Sequence, residues 1–483
     1  MKGKNDSDNS YKSILKGTSI FGGVQIFQIG INLIRGKFVA MFLGPAGMGI
    51  SSLFNSSGQT IQQLAGLGLN LGIVKEVAAQ KDSDNFGALM VTAKRLLLFT
   101  SLLGALACVV LAYPLSRFTF GTDTYYWQFM LLGAMIFFGV AGQGLLSVLQ
   151  GLHAVKLISA TTITGPLVGL LIGVPLYYIW GDKGIVPAMV VLAFSTFMAA
   201  WIGVRKVVKT PKVKFDRLVH SPIVKKLLLL GMVLVAADVI GAACTYLVNL
   251  FIRTFGELEN VGLFQAANSV TNQYSGVVFT AMMLDFFPRL SEAADNNLQI
   301  KTIVNRQLEI ISWIASPLIC LLILTSPLVI SILLTSQFTS ILPLMRWLGV
   351  GVLIKALMFP LGYIAFAKDN KKLFFWLEGI FGNFLYLVVS CTGYYFFGLI
   401  GLGYSLILDC TICFSAYYLV NRKMYGFRLS RDAVTQGLIA IAFAGACFGA
   451  SFISEQWIAY SLMSAVTLSA IIRSVMILRR KLR

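Results

Sequence analysis

Charge is what this 483-residue chain has least of: 12% of its residues are Asp, Glu, Lys or Arg, against about a quarter in an ordinary soluble domain. A surface that poor in charge would self-associate in water, which excludes a soluble enzyme and a disordered chain. Acids are the scarcer sign, with 20 Asp+Glu against 39 Lys+Arg and a formal net charge of +19. Histidine is almost missing, since only His153 and His220 occur, both in expected loops. No paired carboxylates, HExxH-like spacing or Gly-rich phosphate loop stands out, so no catalytic residue, metal ligand set or cofactor is expected. The seven cysteines all fall inside apolar runs, where a thiol behaves as a small hydrophobe, and no disulfide is expected. Cys410-Thr-Ile-Cys413 has the CxxC spacing, but without a second Cys or His pair it does not read as a metal or redox site.

Apolar residues are what is there in excess, at 57% of the chain. Long apolar runs separated by charged or Gly/Pro breaks predict fourteen transmembrane helices, near 17–43, 48–74, 88–114, 125–150, 156–180, 184–204, 226–253, 260–286, 308–335, 341–367, 373–396, 399–421, 434–453 and 456–477. The fold class is therefore an all-α polytopic membrane protein, and the function lies in or at the membrane. With the N-terminus inside, 32 of the 39 basic residues fall in cytoplasmic segments. The positive-inside rule then places both termini in the cytoplasm, and the net charge reads as a topology signal and contact with anionic lipid, not as a nucleic-acid surface.

The chain also resembles itself. A shift of 213 positions carries Gly49 onto Gly262, Asn55 onto Asn268, Gln59 onto Asn272 and Pro114-Leu115 onto Pro327-Leu328; after a three-residue slip, Lys156 meets Lys372. This order predicts a six-helix lobe over 1–207, a basic cytoplasmic linker over 208–225, a second six-helix lobe over 226–425, and two added helices with a basic tail over 426–483. Units with an even number of spans keep one orientation, so the lobes are expected to be related by an axis along the membrane normal.

Polar residues inside the spans point to function, because hydrocarbon excludes them. Span one carries Gln25, Gln28, Asn32 and Arg35 on one helical face, and span two carries Asn55, Gln59, Gln62 and Asn70. Span seven repeats the pattern with Asp238, Thr245, Asn249 and Arg253, and span eight with Asn268 and Asn272. The amides read as a wet cavity lining; the competing reading is hydrogen-bond glue between helices. The ionised positions are Arg35, Lys355, Asp238 and Asp409, with Arg253 near the outer end of its span, Glu378 near the inner end of its own, and Lys37 close to Arg35. Asp238 and Asp409 are candidates for ion coupling; alternatively each neutralises a nearby cation.

Leu43-Gly-Pro-Ala-Gly-Met-Gly-Ile50, the stretch from Leu67-Gly-Leu69 to Val74-Lys-Glu-Val-Ala78, and the run from Gln337-Phe-Thr339 through Arg346-Trp347, Lys355 and Gly362-Tyr363 to Ala367-Lys368 resemble the Wzx-type O-antigen and enterobacterial common antigen flippases. These form the polysaccharide transport branch of the multidrug/oligosaccharidyl-lipid/polysaccharide exporter superfamily. The resemblance covers roughly residues 12–425. It implies two six-helix lobes around a V-shaped cavity, and transfer of undecaprenyl-pyrophosphate-linked oligosaccharide from the cytoplasmic to the periplasmic leaflet of the bacterial inner membrane, driven by an ion gradient. Lys37, Arg253 and Lys355 match cations of the family pattern, whereas Asn55 stands where common antigen members would have Arg. The extra pair of spans resembles fourteen-span lipid-carrier flippases. Expected partners are the lipid-linked oligosaccharide, membrane lipids, and a polysaccharide polymerase with its chain-length regulator, the protein itself being a monomer. A lipid II-type flippase and a multidrug or cation antiporter are the rival readings; a polymerase or acyltransferase lacks the residues it would need.

Overall fold

The computed structural model describes the backbone of residues 2–81, 83, 86–208 and 221–482, and side chains within these except 2–22, 26, 221–234, 274–275, 277–285, 288 and 481–482. Among the described residues the regular structure is entirely helical: α1 (Lys2–Gly66), α2 (Leu69–Gln80), α3 (Phe86–Val110), α4 (Ala112–Phe120), α5 (Tyr126–Gly151), α6 (Val155–Trp180), α7 (Ile185–Val207), α8 (Ser221–Phe255), α9 (Leu258–Glu292), α10 (Asn297–Leu333), α11 (Leu342–Ala367), α12 (Lys371–Phe374), α13 (Asn383–Tyr425), α14 (Arg431–Ala450) and α15 (Gln456–Leu482).

Ten stretches of the described residues are long and apolar enough to cross a membrane. Three of the ten contain a sharp break: Gly44 in α1 (φ 63°), Gly398 in α13 (φ 61°), and the short 3-10 turn Gly181–Gly184 between α6 and α7. Glycine tolerates positive φ without a Cβ clash, and Pro45 follows Gly44 with the fixed φ of a first-turn helix residue. Dividing these stretches at the breaks and adding α9 restores the fourteen expected spans. Two details differ from the expectation. The second span is interrupted at Leu67 and Gly68, both left-handed (φ 46° and 71°), so α2 starts afresh beyond them. Residues 112–120, expected partly as the end of span three, form the separate short helix α4.

The chain divides into two compact units, Met1–Arg253 and Thr254–Arg483. The expected basic linker falls largely on 209–220, which lie outside the described residues. In the first unit, α5 packs against α3 and α7, and α6 against α1 and α7. Its centre is aromatic: the Phe54 ring lies 5.0 Å from Phe120 and 5.0 Å from Phe129, and Phe120 lies 4.2 Å from Tyr125. In the second unit, α11 is the central helix, packed against α9, α10 and α13, while α14 and α15 both pack on α10. Trp347 of α11 meets Tyr404 of α13 at 4.6 Å and Phe448 of α14 at 4.4 Å.

The outward faces confirm which solvent surrounds these helices. Phe99, Leu102, Leu103, Leu106 and Val110 are exposed on α3, whereas its Thr100, Ser101 and Gly104 are buried. Large apolar groups outside and small hydroxyls inside are the arrangement of helices packed in lipid. The buried hydroxyls donate to their own helices, as Ser101 Oγ does to the Leu97 carbonyl at 2.5 Å.

Candidate functional site

The polar stripes separate into two kinds. On α1, Asn55 and Gln59 form an amide rung, Gln59 Nε2 donating to Asn55 Oδ1 at 3.5 Å; on α9, Asn272 Nδ2 donates to Asn268 Oδ1 at 2.8 Å. These are the pairs related by the 213-residue repeat, and Gln59 and Asn272 are exposed on their units. A carboxamide on the open side of a membrane helix does not face hydrocarbon, where it would forfeit its hydrogen bonds at a cost of several kcal/mol. Asn32 is exposed too, and Arg35 and Lys37 are half-buried on the same half of α1.

Other predicted residues are engaged between helices. Gln28 Nε2 donates to the Thr162 carbonyl of α6 at 3.4 Å. Gln62 lies against Gly139 of α5, where a Cβ would come within 2.5 Å of its Oε1, so the glycine makes room for the amide. Asn70 Nδ2 reaches Gln143 Oε1 at 3.3 Å. The end of α8 is tied to α1 and α4 by one stripe. Tyr246 Oη and Thr119 Oγ1 are 2.6 Å apart, Asn249 Nδ2 donates to Ser52 Oγ at 3.4 Å, and Arg253 Nη2 donates to the Phe120 carbonyl. That carbonyl is at the C-terminus of α4, where helix ends leave acceptors unfilled and a cation is favoured. Asp238 is exposed, apart from this set.

An ionisable cluster lies within the second unit, where α11, a π segment and α13 bring Glu378, Tyr417, Cys413 and Asp409 together. The chain between α12 and α13 is a π-helix, Phe375–Gly382, carrying Glu378. A π segment holds one residue more per turn than an α-helix and leaves its backbone groups poorly paired; such segments are frequent at functional sites. Asn383 relieves this one, its Nδ2 donating to the carbonyls of Glu378 and Gly379 at 3.0 Å each. Tyr417, buried on α13, donates from Oη to the Leu377 carbonyl at 3.4 Å, next to Glu378 in the chain. Two glycines make room for the pair: a Cβ at 362 would collide with Glu378 Oε1, and one at 382 would sit 3.2 Å from Tyr417 Oη.

Asp409 completes the cluster from the second half of α13. Cys413 Sγ donates to its Oδ1 at 3.8 Å, and Lys355 acts electrostatically on both Asp409 and Glu378. The heights agree. The α11–α12 turn and the end of α13 are at one end of the unit, because Asn370 Nδ2 donates to Tyr425 Oη at 3.1 Å. At about 1.5 Å per residue from that end, Glu378 and Tyr417 lie roughly 10–12 Å in, Lys355 about 18 Å and Asp409 about 24 Å. Along the helices, the level of Lys355 therefore falls between those of the two carboxylates. Asp409 and Lys355 were predicted separately, from depth alone; that they share a cluster, and that Glu378 and Tyr417 belong to it, was not. The usable signal was the acid itself, Glu378, near the inner end of an apolar span.

Against this geometry the chain can be compared with known proteins. The polysaccharide biosynthesis protein family matches residues 38–343. The lipid III flippases of Escherichia coli (strain K12) and Shigella flexneri are each 25% identical over 363 residues, covering 73% of this chain and 85% of theirs. Among solved structures, the lipid II flippase MurJ in an inward closed conformation superposes with a TM-score of 0.72 at 13% identity, over 97% of this chain and 99% of that one. An inward-facing multidrug resistance MATE family transporter of the MOP superfamily gives 0.70 at 16% identity, over 83% and 94%. With ten apolar stretches long enough to cross a membrane among its described residues, the protein is a multi-pass membrane protein, in a bacterium one of the inner membrane, and the relatives it matches are flippases and transporters rather than enzymes. On the extent of the family match, with the MOP fold around it, the chain belongs to the polysaccharide biosynthesis protein family.

Proposed function

We propose that the protein is a flippase that carries an oligosaccharide linked to undecaprenyl pyrophosphate from the cytoplasmic to the periplasmic leaflet, for surface polysaccharide assembly. The observation that carries the reading is the matched pair of amide rungs, Asn55–Gln59 and Asn268–Asn272, on open helix faces. Carboxamides offer both donors and acceptors, which is what sugar hydroxyls require. The similarity to the lipid III flippases and the family match support a sugar-bearing lipid as cargo.

Arg35, Lys37 and Lys355 supply cations for the pyrophosphate, and Arg253 joins them on leaving the Phe120 carbonyl. A guanidinium can fork two phosphate oxygens and an ammonium adds a point charge. Asn32 and the rung amides serve the glycan, Gln28 and Gln62 join them on leaving their contacts with Thr162 and Gly139, and Asp238 and Asp409 couple transport to an ion gradient. The transmembrane passage of such a head group needs this lining, because an unpaired charge in hydrocarbon costs tens of kcal/mol in the Born limit.

The test is reconstitution. Protein in liposomes is given a fluorescent undecaprenyl-pyrophosphate oligosaccharide on one leaflet, with and without a proton or sodium gradient, and a cationic dye in a parallel arm. Translocation of the lipid and not the dye is expected, faster with a gradient. Dye efflux without lipid movement would replace this reading by a cation exporter, and equal rates without any gradient would remove the coupling.

A further inference from the structure

A crevice of about 180 Å³ lies in the second unit, and none of its lining residues is among those assigned to the cargo. Its floor is Leu308 of α10 and Leu357 of α11, both buried, and Phe414 of α13 forms one wall. The other wall is α14, whose Val434, Leu438 and Ile441 recur at i, i+4 and i+7 and are exposed on the outside of the unit. Gly437 makes a notch between them, since a Cβ there would meet nothing within 4 Å. No lining residue has a polar side chain, and an apolar space of this kind does not retain water.

The cytoplasmic end of the crevice is basic. Leu429 lines it there, in the short connection between α13 and α14, and the exposed Arg428 precedes it. Asn305 of α10 fixes that connection, its Nδ2 donating to the Arg428 carbonyl at 3.1 Å and its Oδ1 accepting from the Ser430 amide at 2.7 Å. Arg431 opens α14 and is exposed above Leu438, because seven residues on a 3.6 period return to within about 20° of the start. Asp432 falls on the opposite face of α14 by the same count, and Glu309, next to Leu308, is buried about 6 Å deeper than Asn305. From Arg431 to Ile441 the helix rises about 15 Å. The crevice is therefore a narrow slot that runs into the membrane from a basic mouth.

We propose that this slot binds one acyl chain of an anionic phospholipid of the cytoplasmic leaflet, with the phosphate of its head group at Arg428 and Arg431. Shape selects the chain. A volume of about 180 Å³ is below the roughly 300–1,000 Å³ of ordinary small-molecule pockets, and drawn out along α14 it admits a straight hydrocarbon more readily than a methyl-branched polyprenyl. Charge selects the head. Guanidinium groups fork phosphate oxygens, and a head group that carries its own amine cancels the charge that they would meet. The site is independent of the cargo: it concerns a lipid that packs the seam between α14 and the α10–α11 core, not the lipid that is carried.

The test is native mass spectrometry of the full-length protein, delipidated in detergent and given phosphatidylglycerol or phosphatidylethanolamine with the same acyl chains. One phosphatidylglycerol is expected to be held more tightly than phosphatidylethanolamine, by roughly fivefold for each arginine, the scale of one basic residue beside an anionic lipid surface. Arg428→Gln/Arg431→Gln should bring the two lipids level. Gly437→Leu should fill the slot from within and remove the tight site for both. If Gly437→Leu does not fold, photolabelling of wild type decides: a phosphatidylglycerol with a diazirine on its acyl chain should label Phe414 and residues 429–441. Equal affinity of wild type for the two lipids, unchanged tight binding by a folded Gly437→Leu, or labelling spread over all helices overturns the inference. Undecaprenyl phosphate serves as competitor and should leave the bound phosphatidylglycerol in place; its displacement would give the slot to the carrier lipid and sink the proposal.

Discussion

Arg253 donates to the main-chain carbonyl of Phe120, at the last turn of α4. With Tyr246 on Thr119 and Asn249 on Ser52, it makes three polar ties at helical spacing on one face of α8. Two residues that sequence periodicity singled out, Asn249 and Arg253, thus join Tyr246 in holding α8 against α1 and α4.

Cutting the ties should loosen that end of α8. Arg253→Ala is expected to cost about 1–3 kcal/mol, the range for a charge-assisted hydrogen bond lost from a part-buried site. A reporter cysteine at Thr119→Cys should react faster with a membrane-impermeant maleimide when Arg253→Ala is added. An unchanged labelling rate would mean that the stripe does not hold the two elements together.

Gly362 should tolerate no side chain. Gly362→Ala places a methyl group against the Glu378 carboxylate, an overpacking expected to cost about 1–3 kcal/mol. Gly445→Ala, where nothing lies within 4 Å of the new Cβ, serves as control and should melt like wild type. Thermal unfolding of the purified proteins followed by intrinsic fluorescence compares them.

Removing the side chain that satisfies the π segment tests whether that segment is held by Asn383. Asn383→Leu deprives the carbonyls of Glu378 and Gly379 of their common donor, a loss of about 1–3 kcal/mol. Local hydrogen exchange over residues 375–383 should rise by the corresponding factor, while exchange in α10 stays as it was.

The last two helices are fastened to the lobe by a polar junction in an apolar setting. Gln436 Oε1 on α14 accepts from Trp313 Nε1 of α10 at 3.0 Å and from Arg473 Nη2 of α15 at 2.6 Å, and Ser474 Oγ donates to the Trp313 carbonyl at 2.7 Å. Gln436→Leu takes one acceptor from two donors and should destabilise by roughly 2–3 kcal/mol. Limited proteolysis should then release a fragment containing α14 and α15 before the rest of the chain is cut; simultaneous cutting throughout would count against the junction.

Export itself should depend on the rungs. Asn55→Leu combined with Asn268→Leu keeps volume near constant but removes both amide pairs. The double variant should insert normally and fail to restore surface glycan in a strain lacking its own flippase. Restored glycan would show that the rungs do not handle the cargo.

The helices were legible in the sequence because lipid demands about twenty apolar residues per crossing, a signal carried by each span alone. The breaks were legible where charge, proline or glycine fell a full span apart, as at Gly398, and not where Leu67–Gly68 turned the chain inside one expected span. The rungs were visible because Asn55, Gln59, Asn268 and Asn272 share a helical period with their neighbours and a repeat with each other. Lys355, Glu378 and Asp409 share neither. They come from three different spans, and their meeting depends on the rotation of the π segment, which leaves no periodic mark in the sequence. The role of Arg253 was hidden for a similar reason: its partner is a carbonyl, which every residue has.

A π turn is what an α-helix becomes when one extra residue has been inserted without opening a loop. Seen so, the segment Phe375–Gly382 separates two registers that can be adjusted independently: the residues before it can rotate by about 100° relative to those after it for each residue gained or lost. Deleting one residue here would leave a continuous apolar span that still crosses the bilayer, yet would swing Glu378 away from Gly362. A one-residue length change in this helix would therefore produce a chain that inserts and folds with its ionisable cluster dismantled, and length variation at this point would separate members of the family that keep the cluster from members that have lost it.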